Sequence, residues 1–136
     1  MRLINVSAVI LCDSGRILVC KRPDDSYFGG WWEWPGGKRE PGETAIECAE
    51  RELMEEIGLK AVGLRLFDRC RAPYPGREVD VEFFVGLPAS GGVAAPDAVE
   101  HCWLTPREVL SLRFLEPNLP VLGRLIEAPP PELTAA

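Results

Sequence analysis

The stretch from Gly37 to Leu59, GKREPGETAIECAERELMEEIGL, runs from a loop punctuated by glycine and proline into one amphipathic helix. Thr44 is a good N-cap, and Glu47 three residues later completes a capping box. Gly58 supplies the left-handed residue at which helices commonly stop. The sequence therefore predicts a helix whose start, body and stop are all specified locally.

At about 100° per residue the helix body sorts into faces. With Glu52 at zero, Glu55 falls near about −60° and Glu56 near about +40°, while Ile46, Ala49, Leu53 and Ile57 gather between roughly 60° and 140°. The second set is the stripe expected to pack on a core. Beside it stand three carboxylates within about one turn, with Ala45 and Cys48 behind them, small enough to let a ligand approach. Like charges at this spacing repel by a few tenths of a kcal/mol even when exposed, which points to a compensating cation. Arg51, four residues from both Glu47 and Glu55, braces the cluster without neutralising it. A hard divalent ion suits oxygen-only ligands, and magnesium is usually held by one or two carboxylates together with substrate phosphates. On an arbitrary helix such a face is more often plain solvated charge.

Nine positions separate this helix from the arbitrary case. Gly37, Glu43, Arg51, Glu52, Leu53, Glu55, Glu56, Gly58 and Leu59 match, without gap or mismatch, the pattern G-x5-E-x7-R-E-h-x-E-E-x-G-h, where h is aliphatic. On this box the chain resembles the Nudix hydrolases, and the likeness extends over nearly the whole chain. That resemblance implies the Nudix fold, a mixed β-sheet in an α/β/α sandwich. It also implies cleavage of a diphosphate linkage in a nucleoside diphosphate derivative, with magnesium or manganese. Carried over residue by residue, it implies that Glu52, Glu56 and the Gly37 carbonyl hold the first ion and that Glu55 assists them or binds a second. Arg51 would orient the glutamates, and Glu43 would fix the loop to the helix or add a ligand. Independently of the family, strands alternating with a central and a terminal helix indicate an α+β domain.

Composition agrees. A chain of 136 residues with 46% hydrophobic content is expected to form one domain, residues 1–127, followed by a disordered tail at 128–136 that contains three consecutive prolines. No apolar run approaches the roughly 18 residues a membrane span needs, and Met1-Arg2 leads straight into a strand-like segment, so a cytoplasmic location is expected. Cysteines at 12, 20, 48, 70 and 102 are odd in number and lack CxxC spacing, which fits reduced core thiols rather than disulfides or zinc. A formal charge of −6 argues against a nucleic-acid surface. It would also repel a polyphosphate unless metal ions accompanied it. The tryptophan cluster permits a homodimer as well as a monomer.

Taken in order, Leu3–Cys12 reads as a buried strand, and Arg16–Arg22 as its hairpin partner across Asp13-Ser14-Gly15. In MutT-type members of the family such a strand ends in a basic pair near the nucleotide; Lys21 and Arg22 resemble it, and Arg22 is the candidate contact. Trp31, Trp32 and Trp34 exceed what one short strand can bury on one face. The resemblance places Trp34 beside the nucleotide, where stacking on a base is worth about 1–3 kcal/mol. Gly36 and Gly37 leave backbone uncovered for a metal or a phosphate, and Lys38 next to them is a candidate phosphate contact, a solvated lysine being the alternative. Ala61–Ala72 and Glu78–Leu87 read as strands joined by a breaker-rich turn at 73–77. Arg71, Tyr74 and Arg77 near that turn are candidate contacts for base, sugar or phosphate.

Asp97–Leu104 reads as a short strand carrying the only histidine. The family places a carboxylate a few residues before a tryptophan such as Trp103. Here Asp97 stands where the family has glutamate, with Glu100 as the alternative, a departure that affects either the third metal position or the base. Alternation puts His101 on the opposite side from Glu100, against a general-base role. Thr105, Pro106 and Glu108 form the N-cap, N1 and N3 of a short helix. Leu115–Ile126 gives a last amphipathic helix whose PNLPVLGRL resembles the close of MutT-type hydrolases. There an asparagine at the position of Asn118 hydrogen-bonds guanine; an amide offers donor and acceptor together, though asparagine is also a good helix cap.

The reaction these residues imply is attack of water on a phosphorus of a nucleoside triphosphate, releasing nucleoside monophosphate and pyrophosphate. Glu52, Glu55, Asp97 and Glu100 all compete for the role of base. The substrate expected from Arg22, Trp34 and Asn118 is a MutT-type nucleotide, an oxidised guanine triphosphate that would miscode in DNA. CTP, ADP-ribose and dinucleoside polyphosphates are the alternatives within the same chemistry. A non-catalytic nucleotide-binding module is the alternative outside it, and the complete set of carboxylates argues against that.

Overall fold

Strand β1 (Arg2–Asp13) is the axis of the structure, a computed structural model in which residues 2–89 and 93–134 are described. Residues 8–12, AVILC, are buried throughout because both faces of the strand are covered. β1 runs parallel to β6 (Arg77–Pro88) from Arg2↔Arg77 to Leu11↔Gly86. On its other edge it pairs antiparallel with β4 (Gly36–Lys38), and its tip pairs with β2 (Arg16–Lys21). The hairpin expected at Asp13-Ser14-Gly15 is present, with Ser14 and Gly15 both at positive φ. The two strands then diverge: β2 goes on to pair with β3 (Trp32–Glu33) and β7 (His101–Leu104). β5 (Ala61–Tyr74) closes the far edge against β6, completing a mixed seven-stranded sheet.

Alternation along β1 builds two cores. Val9 and Leu11, with Leu18, Cys20 and Phe84, pack under Ala49 and Leu53 of α1 (Ala45–Glu56) and its C-cap Ile57. Ala8, Ile10 and Cys12, with Ile17, Val19, Phe83 and Val85, pack under Val109 of α2 (Pro106–Val109) and Val121, Leu122 and Leu125 of α3 (Leu119–Glu127). A sheet sandwiched between helices is the α+β, α/β/α arrangement expected from the sequence.

Helix α1 begins and ends as its sequence specifies. Thr44 accepts from the Glu47 amide while the Glu47 side chain accepts from the Thr44 amide, and the Gly58 amide closes the last turn on the carbonyls of Leu53 and Met54. Gly58 has φ +79°, and a Cβ there would collide with Ala95. Gly58→Ala is therefore expected to destabilise the fold by about 1–3 kcal/mol, measured as a lower denaturation midpoint at unchanged m-value.

Several local expectations are corrected. Ile46 is exposed, so the buried stripe is Ala49, Leu53 and Ile57, with Cys48 buried beside it. The turn after β5 is only Pro75-Gly76, because β5 is an edge strand and tolerates Pro73 with no amide to donate. β7 starts at His101 rather than at Asp97, since residues 96 and 97 form a turn closed by the Ala98 amide on the Ala95 carbonyl. The last helix is entered through a 3-10 turn, Glu116–Asn118. Residues 128–134 do not form a disordered tail: Pro131–Thr134 make a helical turn, α4, with Leu133 buried in the second core and Glu132 paired to Arg65 at 2.7 Å. Residues 90–92, between the last two expected strands, and residues 135 and 136 of the expected tail lie outside the described residues. No helix among the described residues is long and apolar enough to cross a membrane.

Candidate active site

Two hydrogen bonds seat α1 on the sheet so that its carboxylates meet β4. Ser7 Oγ of β1 donates to the Ala45 carbonyl at 2.7 Å, and the Gly36 amide donates to Glu56 Oε2 at 3.0 Å. Gly37 follows, and a Cβ built on it would lie 2.5 Å from the carboxyl carbon of Glu52. A side chain at position 37 would displace the Glu52 carboxylate, which glycine leaves against the strand. The result places Glu52, Glu56 and the Gly37 carbonyl at one seam. Cys48 Sγ, read from the sequence as merely small, donates to that carbonyl at 3.4 Å.

Arg51 ties the acidic residues together. Its Nε and Nη2 grip Glu43 at 2.7 and 3.0 Å, Nη1 reaches Glu52 at 2.8 Å and Glu55 at 3.0 Å, and Nη2 also donates to the Lys38 carbonyl at 3.1 Å. Glu43 also accepts from the Glu40 amide. It therefore fixes the loop to the helix, one of the two roles expected for it.

The hydrogen bonds from Arg51, with that of the Glu40 amide behind them, hold the Glu43 carboxyl down to about 2. A carboxylate held below its ordinary 4.5 contributes stability that is complete above that value and is lost as pH falls toward 2. Thermal melting across that acid window should show wild type losing more stability than Glu43→Gln. Parallel curves would remove Glu43 from the acid-sensitive set.

Glu56 behaves oppositely. Burial pushes its carboxyl up to about 8, the Gly36 amide opposes this, and the nearby Glu52 adds to it. Arg51 pairs with Glu52 but, among the described residues, no ion pair reaches Glu56, so the two carboxyl groups remain short of positive charge. Burial also raises Glu33, against the pull of Arg22, whose Nη1 lies 3.0 Å from Glu33 Oε1. Cys20 Sγ and one oxygen each of Glu33 and Glu56 lie within 4.8 Å of one another. The Cys20 thiol is raised well above its ordinary value by burial, so it remains a thiol and leaves the oxygens as the hard donors.

On the other side of the Gly36–Gly37 rim lies a cavity of about 210 Å³. It gathers Arg22, Trp34, Lys38, Tyr74, Arg77 and Asn118, the residues singled out from the sequence as ligand contacts, on a floor of aliphatic side chains from β1 and β6. Trp34 is only 3% exposed and stands edge-on to Phe83 and Phe114, so it forms wall rather than open stacking face. Trp34 Nε1 and Arg77 Nε are buried donors without a partner among the described residues. Arg77 also lies over the Tyr74 ring, 5.6 Å from its centroid. Asn118 stands at the N-cap position of α3 but makes no side-chain cap hydrogen bond, which leaves its amide to the cavity.

Other candidates sit elsewhere. Arg71 is engaged by Glu78 and Asp80. His101 Nδ1 lies 2.7 Å from the Val99 carbonyl, in keeping with a structural role. Asp97 and Glu100 are exposed on a segment pinned to the end of α1 by the Ala95 and Val99 amides, which donate to Ile57 and Glu56 carbonyls. Sequence reasoning missed Glu33, Tyr27 and Phe28 in the cavity lining. For Glu33, the signal was one acidic residue among three tryptophans.

A glycine rim with a carboxylate helix on one side and a polar, aromatic cavity on the other is the layout of a Nudix hydrolase. The chain belongs to that family, as a hydrolase of MutT type: the NUDIX domain model matches residues 1–125. It is 36% identical over 83 residues to the 8-oxo-dGTP diphosphatase of Proteus vulgaris, covering 60% of this chain and 74% of that one. It is 30% identical over 122 residues to the CTP pyrophosphohydrolase of Escherichia coli, covering 90% of each. Among solved structures, the Escherichia coli ORF135 protein superposes with a TM-score of 0.79 at 30% identity, over 96% of this chain and 95% of that one. Nudix hydrolases generally use a divalent metal. The oxygen donors of Glu52, Glu56 and Gly37, and the glycine cradle between them, fit such an ion.

Proposed function

We propose that this protein hydrolyses nucleoside triphosphates to nucleoside monophosphate and pyrophosphate, with oxidised guanine nucleotides as the preferred substrates and magnesium as the metal. The observation that carries the reading is the shared rim: Gly36 and Gly37 border both the carboxylate cluster and the cavity. A cavity of about 210 Å³ is below the roughly 300–1,000 Å³ of pockets for whole drug-sized ligands. It suits a nucleobase, leaving the phosphates to extend over the glycine rim toward the carboxylates.

The roles divide accordingly. Glu52, Glu56 and the Gly37 carbonyl hold the ion, and Glu55 assists or holds a second. A bound divalent ion neutralises phosphate oxygens, orients water and lowers its pKa. Arg51 fixes the orientation of Glu52 and Glu55, so that their oxygens are set before substrate arrives. Lys38 and Arg22 face the phosphate and ribose end. The unpartnered donors of Trp34 and Arg77 suit the acceptor atoms of a base, and the free Asn118 amide matches a purine edge with one donor and one acceptor. Glu52, Glu55, Asp97 and Glu100 are the candidate bases that accept the proton from water. Asp97 and Glu100 stand exposed on the segment pinned at the end of α1.

The relative that acts on CTP gives a specific reason to keep a pyrimidine substrate as the second reading. A nucleotide panel assayed for pyrophosphate release, with magnesium and with chelator, tests both. Turnover of oxidised guanine triphosphates above all others supports the first, and a preference for CTP replaces it. No turnover of any nucleotide indicates a binding module. Asn118→Ala is expected to reduce selectivity across that panel on the order of tenfold, the worth of about one hydrogen bond, while slowing the best substrate less. Unchanged selectivity would remove Asn118 from base recognition.

A further inference from the structure

Tyr27 and Phe28 are large aromatics left 60% and 42% exposed, and both line the cavity described above. Their loop is built rather than slack. Arg22 Nε donates to the Tyr27 carbonyl at 2.7 Å, the Gly30 amide returns to the Arg22 carbonyl at 3.0 Å, and a Cβ on Gly29 would collide with the Asp24 carbonyl. Phe28 is held at φ +58°, one of two non-glycine residues at positive φ among those described. A left-handed backbone is costly for a bulky residue and persists where the surroundings enforce it, often at ligand sites. Here two glycines follow immediately, so the turn had a cheaper residue for that conformation within reach. The ring is set edge-on to Tyr27, with centroids 4.5 Å apart, and to Trp31 at 5.9 Å. Trp34, the aromatic the sequence singles out, is too buried to present a stacking face. Tyr74, a further aromatic of the lining, is half-buried and has the Arg77 guanidinium over its ring, so Tyr27 and Phe28 are the cavity's most exposed aromatic surface.

We propose that Tyr27 and Phe28 form the face on which the nucleobase stacks, and so set the affinity for the base; the assignment rests on the nucleotide-binding reading above. Stacking on an aromatic is worth about 1–3 kcal/mol per base and tolerates any base. The pair therefore strengthens binding of purines and pyrimidines alike, leaving discrimination to the polar groups.

The test uses the full chain with dGMP, CMP and ribose 5-phosphate as probes, binding being read by calorimetry. The Tyr27→Ala/Phe28→Ala double variant is expected to raise the Kd for both nucleotides on the order of 10- to 100-fold. The ribose 5-phosphate Kd should stay within about twofold, since that probe has no base to stack. Phe28→Trp should bind nucleotides as wild type does, whereas Phe28→Leu should resemble Phe28→Ala, because an apolar filler without a π-face cannot replace a stacking ring. Unchanged nucleotide affinity in the double variant overturns the proposal, as does equal weakening of ribose 5-phosphate or full rescue by leucine. If the variants give those results while the wild-type protein releases pyrophosphate from nucleotides, only the stacking assignment falls. A wild-type protein that neither turns over nucleotides nor binds dGMP and CMP more tightly than ribose 5-phosphate removes the functional reading and this one together.

Discussion

Glu56→Gln is expected to lower turnover on the order of 10²- to 10³-fold, the range seen when one charge-stabilising group is taken from an active site. The residue carries a buried carboxyl whose Oε2 accepts from the Gly36 amide. Glutamine keeps a carbonyl oxygen for that amide and nearly the same volume, so the seam between α1 and β4 survives. What it removes is the negative charge. Burial already pushes the Glu56 carboxyl up to about 8, which means the fold favours a neutral group there. The melting temperature of the variant should therefore equal or exceed that of wild type while its activity collapses. Steady-state kinetics at saturating magnesium, alongside thermal melting, checks both halves. Near-normal turnover would contradict the assignment of Glu56 to the metal site. A collapsed fold would contradict the account of the Gly36 hydrogen bond.

Arg51→Met should produce the second-largest loss, by a different route. Arg51 holds Glu43 with two hydrogen bonds and Glu52 and Glu55 with one nitrogen, and it reaches the Lys38 carbonyl as well. Methionine fills part of the stem and returns none of these donors, so Glu40, Glu43, Glu52 and Glu55 face one another without their shared counter-charge. Partners that orient metal ligands are typically worth 10- to 100-fold in affinity or activity, and a loss of about that size is expected here. Unlike Glu56→Gln, this variant should also melt below wild type. Because divalent ions can replace part of the missing positive charge, raising magnesium should recover some of the lost activity and melting temperature. A variant with wild-type melting and no magnesium response would show that Arg51 is not the brace described above. Arg51→Lys should rescue poorly, since a single ammonium cannot reproduce the planar fork on Glu43.

These two predictions draw on interactions of different range, and the difference explains what could be read in advance. Thr44, Glu47 and Gly58 delimit α1 through hydrogen bonds three to five residues apart, so sequence alone fixes the helix and its start and stop. The i,i+4 bond from Arg51 to Glu55 is equally local. The match to the Nudix box added the Gly37 seam and the cavity residues, but by family likeness and not by any physics of spacing. Ile46 shows the limit of periodicity. It lies on the apolar stripe by angle, yet the side chain is exposed.

By itself, the sequence determined the α+β class of fold and the acidic helix, because each depends on hydrogen bonds, caps and side-chain alternation within a few residues; the glycine rim was legible through the family likeness. Tertiary structure alone decided which distant side chains share a cavity. Arg22, Glu33, Tyr74, Arg77 and Asn118 meet there only because β1 lies between β4 and β6 and the 3-10 turn folds back beside them. It also decided that Asn118 is free rather than a cap, that Trp34 is wall while Tyr27 and Phe28 are exposed, and that Leu133 draws residues 131–134 into the core. Burial and the freedom of a polar group depend on neighbours far away in the chain, and strand order, which local chemistry does not encode, is what supplies those neighbours.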